Sequence, residues 1–130
     1  MTINLTVTME ENPENFAKLR EVLNEPSVII DGGCGLCLDG KIIVHLLVED
    51  ADNVRTALDE VGLDISDCRP VLVLGLKGLP GRMGEIVAGL ADSDIDIDFF
   101  YLNAKNQLVI GAGKVSKSIY AVLDSIINAK

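Results

Sequence analysis

The sequence predicts an α+β protein in which one strand-helix-strand-strand-helix pattern is laid down twice. Three observations carry this. Apolar residues alternate with polar ones from Ile3 to Met9, the period-two signature of a half-buried strand. A Pro-led turn, Asn12-Pro13-Glu14, then opens a helical stripe. The same succession returns as Val71-Leu72-Val73-Leu74, the turn Gly78-Leu79-Pro80-Gly81-Arg82-Met83 and a second stripe. Pro13 aligns with Pro80, Phe16 with Met83, Leu19 with Ile86 and Leu23 with Leu90.

The elements follow in order. Asn12 is a good N-cap, with Pro13 in the first turn and Glu14 just inside it. Phe16, Leu19, Val22 and Leu23 form the apolar stripe, and Glu25-Pro26 ends the helix. Ser27-Val28-Ile29-Ile30 is expected to start a strand that runs into the glycine-rich Asp31–Gly35. Asp39-Gly40 marks a hairpin, and Lys41–Val48 reads as a strand apolar on both faces. Asp50 or Asp52 caps a helix carrying Val54, Ala57, Leu58 and Val61, and Gly62 stops it. Residues 63–68 are left for a closing strand.

In the second half, Val71–Leu76 is the strand, and Met83, Ile86, Val87 and Leu90 stripe the helix. Ile95–Phe99 is expected as a strand, with Asp94, Asp96 and Asp98 on one face and Ile95, Ile97 and Phe99 on the other. Asn103–Asn106 turns into the strand Gln107–Ile110. Ser116 caps a last helix carrying Ile119, Val122, Leu123, Ile126 and Ile127, with no fourth strand behind it. Each half is the split βαβ pattern of ferredoxin-like folds, with an antiparallel sheet and helices on one face. The expected modules are 1–68 and 69–130. The second module's closing strand is absent or borrowed, and an open sheet edge invites pairing. A homodimer or a larger even assembly is therefore expected.

Composition narrows the function. The chain is 48% apolar, enough for a core, which is aliphatic because there are three Phe, two Tyr and no Trp. Twenty acidic residues against eleven basic ones give a net charge of −9. Neither nucleic acid nor an anionic membrane surface suits such a chain. No apolar run approaches the ~20 residues of a membrane span. Three cysteines, an odd number, and an N-terminus unlike a signal peptide place it in a reducing cytoplasm.

The turn before the second helix is the leading candidate site. Gly81 lets a ligand approach the backbone, and Gly78 permits unusual dihedrals. Free N–H groups near Arg82 and Met83, with the helix dipole, suit a carboxylate, and Arg82 adds a charged fork. The alternative is a tight connection in which Pro and Gly serve geometry alone. Asp94, Asp96 and Asp98 repel one another unless water or a cation such as a ligand ammonium lies beside them. The other reading is a solvated strand face. A calcium loop fails, because Phe99 holds the place of its Gly and Lys105 that of its Glu.

Cys34-Gly35-Leu36-Cys37 has redox or metal spacing, yet no second pair follows, and Cys68 and His45 complete no tetrahedral set. Small structural residues are the better reading. Gly111-Ala112-Gly113-Lys114 is not a phosphate loop, since Val115 takes the Ser/Thr place and Leu108 the first Gly place. His45 alternates with Ile43 and Leu47 as a strand residue. No catalytic set can be assembled, so neither an enzyme nor a cofactor nor a metal is expected.

The chain resembles the ACT domain family of small regulatory modules. Lys77-Gly78-Leu79-Pro80-Gly81-Arg82-Met83 and Asp94-Ile95-Asp96-Ile97 carry the resemblance, which spans nearly all of the chain as a tandem pair. In the first copy Glu14 replaces the Gly after Pro. The resemblance implies regulation rather than chemistry, through an amino acid bound where two modules meet. The implied contacts are Gly78 to Met83, with Asp96 and Asp98, and more weakly Asn12, Pro13 and Glu14. One rival reading is an interaction subunit of a metabolic enzyme without a ligand of its own. A further rival is a cysteine-based metal or redox protein.

Overall fold

A computed structural model of the chain describes residues 2–75, 82–92 and 96–113. Two compact units, Met1–Pro70 and Val71–Lys130, divide the chain.

The first unit runs β1 (Ile3–Glu10), α1 (Pro13–Asn24), β2 (Gly32–Leu38), β3 (Lys41–Val48), α2 (Ala51–Glu60) and β4 (Ile65–Pro70). Its sheet has the order β2-β3-β1-β4, and every neighbouring pair is antiparallel. Leu5, Val7 and Met9 of β1 and Val44, Leu46 and Val48 of β3 share one core with Val22 of α1 and Val54 and Leu58 of α2. Both helices therefore pack on one face. Leu5, Val7 and Leu58 are withdrawn completely from water, worth about 1.5–3 kcal/mol each.

Local chemistry sets the boundaries. The Asn12 carboxamide accepts the Asn15 N–H at 2.8 Å, and Pro13 follows at the first helical position. Asp50, the first of the two candidates, caps α2 through the Asn53 N–H at 3.2 Å. Gly62 ends that helix with φ of 76°. Asp39 and Gly40, with φ of 50° and 76°, make the two-residue turn joining β2 to β3. The strand expected from Ser27 begins only at Gly32. Behind Pro26 the Val28 N–H turns back to the Glu25 carbonyl at 2.9 Å, and Val28 enters the core while Ile29 stays in water.

The second unit holds β5 (Leu72–Gly75), α3 (Arg82–Asp92), β6 (Ile97–Leu102) and β7 (Gln107–Ala112). Its sheet has the order β5-β7-β6, again antiparallel, matching β1-β3-β2 of the first unit. Leu72, Leu108, Ile110 and Ala112 pack with Ile86 and Leu90 of α3. In the following hairpin, the Asn103 carboxamide accepts the N–H groups of Lys105 and Gln107, and Asn106 takes φ of 60°.

One expectation is corrected here. The register of β6 slips between Ile97 and Phe99, so Asp98 is the extra residue of a bulge. Ile97 stands opposite Ala112 and packs on the core, whereas Phe99 stands opposite Gly111 on the other face. Ile97 and Phe99 thus do not share a face, and Asp96 lies just before the strand. Gly78 to Gly81, Asp94, Ile95 and the expected last helix lie outside the described residues.

Candidate ligand site

The second unit holds one part of the candidate site by burial. Ile86 and Leu90 are fully buried, and Met83 packs against the same cluster. This fixes α3 on the sheet, so that its first residue, Arg82, follows the Pro80-Gly81 dipeptide. Glu85 is the acidic residue in its first turn. The first turn of a helix leaves N–H groups without intrahelical partners, which favours an anion there.

The carboxylates lie elsewhere. β5 and β6 both run antiparallel to β7 and are therefore parallel to each other. Gly75, where the chain leaves β5 for the turn, stands opposite Gln107 at one end of the sheet. Ile97 stands opposite Ala112 at the other end, beside exposed Asp96 and Asp98. Four to five residues of strand separate the two places, about 15 Å at ~3.3 Å per residue. The end of β5 and the carboxylates therefore stand at opposite ends of the sheet.

The corresponding turn of the first unit is closed on itself. Asn12 occupies the Asn15 N–H, the Asn15 carboxamide donates to the Glu10 carbonyl at 2.8 Å, and Pro13 has no N–H to offer. The Glu11 N–H is held by the Gly40 carbonyl at 2.9 Å. Glu10 pairs with Lys41, and Glu14 lies 3.7 Å from Lys18. Three glutamates at this turn oppose a second carboxylate.

The thiols do not converge. Cys34 stands opposite His45 and Cys37 opposite Ile42, on the two faces of β2, and Cys34, Cys37 and Cys68 are all free. Burial pushes the Cys34 thiol above its ordinary value. Among the described residues no group of three or more His, Cys, Asp or Glu is placed to hold a metal. His45 is held by structure: its Nδ1 lies 3.0 Å from the Thr6 hydroxyl and 3.3 Å from the Asn4 amide nitrogen. Burial, then the Arg69 guanidinium, lowers its pKa, and Asp67 partly opposes the shift.

No family model and no curated protein matches the chain. Solved structures do. Protein BT0572 from Bacteroides thetaiotaomicron superposes with a TM-score of 0.76 at 18% identity, over 95% of this chain and 86% of that one. The ligand-free regulatory subunit of aspartate kinase from Thermus thermophilus gives 0.68 at 16% identity, over 98% and 91%. Its counterpart from Thermus flavus gives 0.63 at 16%, over 98% and 92%. The aspartate kinase subunits are ACT-domain proteins. The fold is ACT-type.

On this ACT-type fold the first unit carries a feature that the sequence reading did not isolate. The apolar stripe of α1 is Phe16, Leu19, Val22 and Leu23. Val22 is buried, but Phe16 and Leu23 are 47% and 44% exposed. With Leu36, Cys37 and Ile42 they line an open apolar groove of about 510 Å³. The sequence carried no signal for it, because four apolar residues over two turns are the ordinary width of a core-facing stripe. Among the described residues no helix is long and apolar enough to cross a membrane.

Proposed function

We propose that the chain is a non-catalytic regulatory protein, a tandem of two ACT-type modules that binds an amino acid where modules meet. One observation supports this reading above the others: Gly75, where β5 ends, and the carboxylates Asp96 and Asp98 lie at opposite ends of one sheet, and the reading takes the turn that follows Gly75 to stay at its own end. An amino acid presents its carboxylate and ammonium only a few ångströms apart, so one module cannot offer both partners. Two second modules set edge to edge, with β6 antiparallel to its symmetry mate, bring Asp96 of one copy toward the turn of the other. The β6 edge suits this pairing, since Phe100 and Leu102 leave 46% and 42% of their surface in water.

In this arrangement the backbone at Gly78–Met83 and Arg82 hold the carboxylate, and Asp96 and Asp98 face the ammonium. The ligand then stabilises the homodimer, and a metabolic enzyme joined to it would read that change. No cofactor takes part. Three free thiols suit a cytoplasmic setting. Light scattering across a concentration series, with and without amino acids, tests the reading. A dimer strengthened by one amino acid supports it, and a strict monomer under all conditions contradicts it. Exposed Phe16, Leu23, Leu36 and Leu38 favour a second reading, an interaction subunit without a ligand. Failure of every amino acid to stabilise the chain would select it.

A further inference from the structure

We draw no further inference here: the strongest candidate, the open apolar groove between α1 and the edge strand β2, carries none, because nothing among the described residues shows what covers it.

Discussion

Phe99 lays its ring over Gly111, its partner across the β6–β7 ladder. A Cβ on Gly111 would fall inside that ring. The ring also stacks on Tyr101, with centroids 6.0 Å apart and planes 12° from parallel. The bulge at Asp98 makes this possible, because the extra residue turns Phe99 onto the glycine's face of the sheet. An aromatic ring covering a strand glycine replaces the packing the missing side chain would have supplied.

Gly111→Ala is therefore expected to destabilise the second unit by about 1–3 kcal/mol, the usual cost of overpacking. Gly75→Ala is the control, since a Cβ there meets nothing within 4 Å. Urea unfolding of both variants measures the difference. Adding Phe99→Ala to Gly111→Ala should cost less than the separate effects combined. Strict additivity would show that the ring and the glycine are not coupled.

Gly33 makes a harder demand than Gly111, because the atom a Cβ would strike is the main-chain oxygen of His45. No side chain can swing aside, so β2 must separate from β3. Gly33→Ala should weaken the first unit by about 1–3 kcal/mol. Gly35→Ala, whose Cβ meets its nearest atom at 3.8 Å, should stay within about 0.5 kcal/mol. Equal melting temperatures for the two variants would contradict this.

His45 gives a pH dependence with a definite sign. An amide nitrogen only donates, so the Asn4 contact requires an unprotonated Nδ1 and a neutral ring. The folded pKa is lowered from 6.5 by burial and by Arg69, against the pull of Asp67. This contribution to stability is complete above about pH 6.5, the unfolded value. It is lost as pH falls through the lower folded value. Unfolding free energies from pH 5 to 8 should fall less steeply on acidification for His45→Gln than for the natural chain. Identical slopes would remove His45 as the cause.

Much of the fold was legible because local signals and packing agree. The Asn12 and Asp50 caps, the Asp39-Gly40 turn and the Gly62 stop each have one cheap local solution, and the chain takes it. The α-helical stripes predicted Val22, Val54, Leu58, Ile86 and Leu90 as core for the same reason. Two failures have different origins. Ser27–Ile30 has strand composition, but Pro26 and the preceding helix end fold it into a turn. The alternation around Asp96 is regular in sequence, yet the bulge at Asp98 breaks it, and register is set by a partner strand that composition does not reveal. Of the candidate site, the residue types were readable. That the end of β5 and the carboxylates stand at opposite ends of the sheet was not.

Asn12 tests whether the first turn is structural only. Its carboxamide caps α1, so Asn12→Ala should cost about 1 kcal/mol of stability. Ligand affinity, measured by calorimetry, should not change. A large loss of affinity would mean that the first turn is also a binding site.

Under the proposed function Asp96 faces the ligand's ammonium. Asp96→Ala should weaken an amino acid far more than its deaminated analogue, about tenfold or more for a lost charged hydrogen bond. Equal losses for the two compounds would withdraw the assignment.

The most direct measurement is a thermal-shift series with the common amino acids on the natural chain and on Gly81→Ala. One of them should raise the melting temperature of the natural chain. At 100 times its dissociation constant it should add about 2.7 kcal/mol of stability. Gly81→Ala should lose most of that gain, because a Cβ there crowds the carboxylate. No shift with any amino acid, or an equal shift in both proteins, would contradict binding at the turn.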